Sequence, residues 1–291
     1  MIDTLIFSGG GPSGIAYSGV FQALLDQKVL DRDLTGIKEI VTTSVGLLFS
    51  YCILVKLNNR VSYEVVQKFD ISAMINLDDL CVDDLLVDSG LFETTGIRDV
   101  LRSITRNVLY RDDCSLQELY DLTKIKLTVK VFNITKSALQ FVSYETDPDM
   151  SIITLAQMTT AIPLFFKPVR YKGQMFCDGG FREGYPRGYC PSENYLGISI
   201  KGGCSGGDDA DNIFSKIPLL QTMYALVTGS EKEYHTRDDP KIICIEVNLG
   251  LNFEISNETK KRVVEDAYKT TTEYLTTEYL TEYLTTGLTA S

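Results

Sequence analysis

Residues 4–7, Thr-Leu-Ile-Phe, form an apolar segment without polar alternation. They run directly into Ser-Gly-Gly-Gly-Pro-Ser-Gly at 8–14. A short continuous apolar run is what a strand buried on both faces looks like. Beyond the glycines, Ile15, Gly19, Phe21, Leu24 and Leu25 lie among polar positions at helical spacing, and this pattern ends near Leu30. Strand, glycine turn and helix together open a parallel α/β unit. The logic then repeats. Ile-Lys-Glu-Ile-Val-Thr-Thr at 37–43 is strand-like, Ser44 turns, and residues 45–57 read as a helix buried nearly all round. Two such units in succession commit the chain to a parallel sheet covered by helices.

The rest of the chain supplies further pieces. Residues 62–113 read as mostly helical and acidic. Asp78, Asp79, Asp83, Asp84 and Asp88 there fit a solvated face or a lid-like loop, with no calcium-loop spacing. Ser115-x-x-Glu118 is a capping box opening a short helix. Residues 124–135 and 138–146 alternate and are rich in β-branched and aromatic residues, as paired strands are. A helix over 152–160 stops before Pro163. Residues 169–180 read as a hairpin through Lys172-Gly173 that runs into Asp178-Gly179-Gly180. Two further buried strands are expected at 194–201 and 241–247, with a helix near 213–233 between them. A last helix begins at Glu258 and enters a tail in which Glu-Tyr-Leu recurs at 273, 278 and 282. The expected organisation is one domain over 1–270 and a low-complexity extension over 271–291.

Charge narrows the partners. A net charge of -11 repels nucleic acid and gives no general attraction to an anionic bilayer. The seven cysteines are scattered, without zinc-ligand spacing, and fit a reducing compartment. No apolar run is long enough to span a bilayer. A cytoplasmic protein that meets membranes only peripherally and transiently is expected.

Three pieces could carry chemistry. In the first, Gly9, Gly10 and Gly11 leave backbone amides bare at a helix start, a cradle for a phosphate or a developing oxyanion. Gly9, Gly11 and Gly14 also satisfy G-x-G-x-x-G. The acidic residues about 20 positions on, Asp31 and Asp33, lie in a polar loop and not at a strand end. The second piece is Ser44, between a buried strand and a buried helix. Gly46 has the small side chain that a nucleophile elbow needs at plus two, while Thr42 at minus two would crowd the turn. The residues alone leave both an elbow serine and a simple N-cap open. Ser205, in Gly-Cys-Ser-Gly-Gly, matches an elbow literally but sits in an acidic loop without an immediate helix. The third piece is Asp178 with Gly179 and Gly180, either a turn or a carboxylate presented at a sheet edge. The single histidine, His235, lies in a charged segment. A serine hydrolase here would therefore use a carboxylate as its base.

In this order, Ser-Gly-Gly-Gly-Pro-Ser-Gly, Thr-Thr-Ser44-Val-Gly and Asp178-Gly-Gly resemble the patatin-like phospholipase family. The segment 159–180, with its Ala-Ile-Pro step, is similar to the family's approach to its aspartate. The Gly-Pro-Ser-Gly form of the loop is similar to that of patatin-like proteins of large DNA viruses. The resemblance covers residues 4–190 in blocks. It implies a three-layer α/β/α sandwich on a mostly parallel sheet, and hydrolysis of fatty acyl esters, phospholipids included. It implies Ser44 as nucleophile, Asp178 as base, Gly9–Gly11 as oxyanion loop, and no metal or cofactor. Two residues depart from the pattern. Thr42 replaces the first elbow glycine, and Ser13 stands where the family often has Arg or Lys. Thr42 leaves open a catalytically weak lipid-binding or interaction module. The glycine loop leaves open a nucleotide-binding protein.

Overall fold

A computed structural model describes residues 2–56, 89–181, 184–186, 188–189, 192–202, 239–247, 249 and 255–276. The acidic run at 78–88, Ser205, the expected helix at 213–233, His235 and the tail beyond 276 lie outside these residues. The described strands are β1 (Thr4–Phe7), β2 (Glu39–Thr43), β3 (Gly90–Phe92), β4 (Lys126–Asn133), β5 (Ala138–Val142), β6 (Leu164–Phe166), β7 (Val169–Tyr171), β8 (Gln174–Asp178), β9 (Tyr195–Gly202) and β10 (Ile242–Val247). The described α-helices are α1 (Tyr17–Asp26), α2 (Val45–Leu54), α3 (Thr95–Leu109), α4 (Leu116–Thr123), α5 (Ile152–Thr160) and α6 (Asn257–Leu275).

The central sheet has the order β10-β9-β1-β2-β4-β8-β7, with β5 also paired to β4. The first five strands in that order run parallel, and β5, β7 and β8 are antiparallel additions. Helices flank the sheet, as the two strand–turn–helix units require. The segment Thr-Leu-Ile-Phe is β1, buried throughout and flanked on both edges, Thr4 facing Glu39 on one side and Tyr195 on the other. The expected hairpin through Lys172-Gly173 is β7–β8, with both turn residues at positive φ, 46° and 75°. That is the left-handed geometry a two-residue hairpin loop asks for. Among the described residues, no helix is long and apolar enough to cross a membrane.

Some elements differ from expectation. The glycine turn continues as a 3-10 helix over Gly11–Ala16, and α1 stops at Asp26, short of Leu30, where Lys28 takes a φ of 59°. Residues 90–92, in a region expected to be mostly helical, are the strand β3, which pairs in parallel with β6. Its apolar side chains explain the choice. Leu91 and Phe92 bury themselves in a cluster with Phe165 and Phe166, and the Phe92 and Phe165 ring centres lie 5.0 Å apart. So short an apolar segment takes the backbone form that its partner edge offers.

The last helix packs on the first. An ideal Cβ on Gly19 would stand 2.1 Å from the Val264 carbonyl oxygen, so the bare Cα of Gly19 is what lets α1 and α6 lie so close. The helix α6 continues past residue 270, and Thr271 and Leu275 are buried.

Candidate active site

One edge of β4 is shared by two strands running toward each other. Up to Lys130 it pairs with β2, which ends with Thr43 opposite Lys130. From Val131 it pairs with β8, which runs the other way and ends with Asp178 opposite Val131. Antiparallel pairing of β8 and parallel pairing of β2 thus bring two C-terminal strand ends together, and Ser44 follows immediately on one of them.

Ser44 has φ 54° and ψ −129°, a conformation that L residues rarely adopt. Holding it costs of order 1–3 kcal/mol, which the surrounding contacts must supply. The side chain makes no capping bond to α2. Instead its Oγ donates to Asp178 Oδ2 at 2.6 Å, and the contact is buried. The turn closes because Gly46 has no side chain. An ideal Cβ there would lie 2.5 Å from Thr42 Oγ1 and 2.7 Å from the Ser8 carbonyl oxygen. Thr42, fully buried, therefore fits into room that Gly46 leaves, and its hydroxyl finds no hydrogen-bond partner among the described residues.

Asp178 is itself buried. Its Oδ1 accepts the Gly180 N–H at 2.6 Å, and its own N–H donates to the Ala161 carbonyl at 2.9 Å. Burial raises its pKa to about 6, against the lowering pull of the Ser44 hydroxyl, the Gly180 amide and the charge of Lys130. A carboxylate in this range is ionised at neutral pH and is a far better proton acceptor than an exposed aspartate. Gly179 allows the chain to turn against the β4 backbone at Lys130.

The glycine loop lies across the same strand ends. Gly9 packs its bare Cα face toward Ser44 Cβ, while its N–H donates to the Gly184 carbonyl at 2.8 Å. Among the described residues, the amides of Gly10 and Gly11 have no such partner. Gly10 sits against Ile200, and Gly14 packs against Val45 at the start of α2. The loop is anchored by Ser8, whose Oγ accepts the Ile200 N–H at 2.8 Å and whose carbonyl accepts the Tyr17 hydroxyl at 2.6 Å. Ser13 is buried, and its hydroxyl has no hydrogen-bond partner among the described residues. It offers no charge at the position where a basic residue is common.

The chain order of the motifs gave no sign of Thr159, which is fully buried on α5. Its Oγ1 accepts the Ser44 N–H at 2.8 Å and donates to the Lys130 carbonyl at 2.8 Å. The only available signal was the Thr-Thr pair ahead of Ala-Ile-Pro. Lys130, buried beside both strand ends, carries no mark in the sequence beyond its place in a strand. Among the described residues, no group of three or more His, Cys, Asp and Glu side chains is placed to hold a metal ion.

A parallel α/β sheet, a serine at a strained strand-to-helix turn and an aspartate arriving on an antiparallel strand define a class of α/β proteins with a serine–aspartate pair. The sequence matches the patatin-like phospholipase family over residues 5–190, and the chain belongs to that family. It is 27% identical over 183 residues to a protein of Invertebrate iridescent virus 6 named as a probable lipid hydrolase, a match that spans 63% of this chain and 61% of that one. The fold is similar to that of VipD from Legionella pneumophila, with a TM-score of 0.61 at 18% identity, over 94% of this chain and 66% of that one. It is also similar to ExoU of the Pseudomonas aeruginosa type III secretion system, solved with SpcU, with a TM-score of 0.54 at 14% identity, over 94% of this chain and 52% of that one. The chain thus spans less than two thirds of the length of each of these relatives.

Proposed function

We propose that this protein is a lipid acyl hydrolase that cleaves fatty acyl esters of phospholipids or related lipids through a Ser44–Asp178 dyad, meeting membranes transiently to reach its substrate. The observation that carries the proposal is the buried 2.6 Å hydrogen bond from Ser44 Oγ to Asp178. Family membership and the viral relative named as a lipid hydrolase support the substrate class. In the reaction, Ser44 Oγ attacks the acyl carbonyl carbon while Asp178 takes the hydroxyl proton. The bond from carbonyl carbon to leaving oxygen then breaks, and the departing alcohol takes that proton. Water repeats the sequence on the acyl-serine, releasing the fatty acid and restoring the serine hydroxyl. The Gly10 and Gly11 amides serve as oxyanion donors, since the Gly9 amide is committed to Gly184. Removing one such donor typically costs about 3 to 4 kcal/mol of transition-state stabilisation.

Acyl release from phosphatidylcholine vesicles, together with labelling by a fluorophosphonate probe, tests the assignment. The native chain and Ser205→Ala should hydrolyse and be labelled at Ser44. Ser44→Ala and Asp178→Asn should not turn over. Equal hydrolysis by all four proteins, or a native chain labelled at no serine, overturns the dyad.

A further inference from the structure

We infer that Thr159 is a positioning residue for the nucleophile, and that the C-terminal end of α5 acts as a clamp setting the register between Ser44 and Asp178. This rests on the dyad reading above. Three contacts converge there. The Thr159 hydroxyl accepts the Ser44 N–H at 2.8 Å. The same hydroxyl donates to the Lys130 carbonyl on β4 at 2.8 Å. Two residues on, the Ala161 carbonyl accepts the Asp178 N–H at 2.9 Å. One helix end therefore holds the main chain of both partners, while β4 holds the strands that deliver them.

The first contact matters because of where the Ser44 amide sits. Ser44 lies past the end of β2 and caps α2 without belonging to it, and its N–H reaches the Lys130 carbonyl of β4 only through the Thr159 hydroxyl. A buried amide with no acceptor is unfavourable by about 1–3 kcal/mol, and Thr159 provides the acceptor. A hydroxyl is suited to the place because it accepts the amide N–H and at the same time donates its own O–H to the Lys130 carbonyl. Valine has nearly the same shape and can do neither. Loss of the hydroxyl leaves the Ser44 amide to find another acceptor by rotating the turn, which moves Oγ away from Asp178. A displacement of about 1 Å at a reacting group is enough to cost on the order of a hundredfold in rate. The Ser44 hydroxyl also stabilises the ionised carboxylate, so a retracted Oγ leaves Asp178 easier to protonate.

The experiment compares native protein, Thr159→Ser, Thr159→Val and Ser44→Ala in acyl release across pH, with folding checked by thermal melts. Thr159→Val should lose about 10- to 100-fold in kcat with KM little changed, and its acid limb should move to higher pH. Thr159→Ser should keep kcat within a few-fold and leave the limb in place. Full kcat with an unmoved limb in Thr159→Val overturns the inference. So does a Thr159→Ser variant as impaired as Thr159→Val, which would make packing and not the hydroxyl the cause. In either case the gap between native protein and Ser44→Ala stays intact. A native protein no more active than Ser44→Ala defeats the dyad and this inference together.

Discussion

Ser44 and Asp178 are 134 residues apart in the chain and joined by a 2.6 Å hydrogen bond, because β2 and β8 meet end to end on one edge of β4. The meeting needs no histidine. The acid is delivered by a strand whose direction opposes that of the serine's strand, so each side chain emerges at the junction without a loop to carry it. On the proposed mechanism Asp178 must be charged although buried, and this gives it a pH signature.

Asp178 has its pKa raised to about 6 by burial. As the proposed base, it must be ionised to accept the Ser44 proton. The plateau of kcat/KM should therefore hold at neutral pH and fall about tenfold per pH unit below about 6, as acyl release over pH 4.5–8.5 would show. A limb centred near 4, the range of an exposed aspartate, would contradict the burial argument.

The same shift bears on stability, with the opposite preference. A carboxyl whose pKa is higher folded than unfolded favours the folded state at low pH and loses that contribution as pH rises from about 4 through about 6. At pH 8, ionised Asp178 costs the fold up to about 3 kcal/mol, given a rise from 3.8 to about 6. Asp178→Asn carries no charge and keeps an oxygen for the Gly180 amide. It should melt higher than the native chain at pH 8, and the difference should vanish below pH 4. Melting curves of both proteins at the two pH values measure this directly.

Gly46→Ala should damage both turn and fold. The new methyl has Thr42 Oγ1 and the Ser8 carbonyl oxygen in its way, at 2.5 and 2.7 Å. Overpacking of this kind costs about 1–3 kcal/mol, and acyl release should fall at least tenfold. Combining it with Thr42→Gly removes one of the two obstacles. The double variant should then be more stable than the sum of the single changes predicts, as a double-mutant cycle in urea would show.

Gly19→Ala probes the contact between α1 and α6. Its Cβ would meet backbone, the Val264 carbonyl oxygen at 2.1 Å, which no rotamer change relieves. The helices must part, and a loss of about 1–3 kcal/mol is expected. Because that contact involves none of the dyad residues, acyl release per folded molecule at low temperature should stay near native. Thermal melts and an active-site titration with the fluorophosphonate probe separate the two effects.

Much of this architecture was legible in the sequence for local reasons. An unbroken apolar run marked β1, Lys172-Gly173 marked the hairpin, and glycines made up the loop and followed the aspartate. Ser44 and Asp178 were legible as a pair only through the order of three motifs, since nothing local to either specifies the other. What escaped was tertiary. Residues 90–92 are a strand because β6 offers them an edge. Thr42 looks too large for an elbow until Gly46 is seen to leave it space. The Gly9 amide is spoken for by Gly184, a residue 175 positions on, and Thr159 reaches Ser44 across 115 positions. Such bonds depend on neighbours that a linear reading does not supply.

The placement of β1 between β2 and β9 has a consequence for how the molecule comes into being. The glycine loop is pinned by the Ile200 amide on Ser8, 192 positions away. A chain leaving the ribosome at roughly 5–20 residues per second exposes Ser44 early but cannot seat the loop until the strand bearing Ile200 has emerged. Partial products of translation therefore carry the serine without its finished surroundings, and on the proposed function they stay inert until that strand has been made.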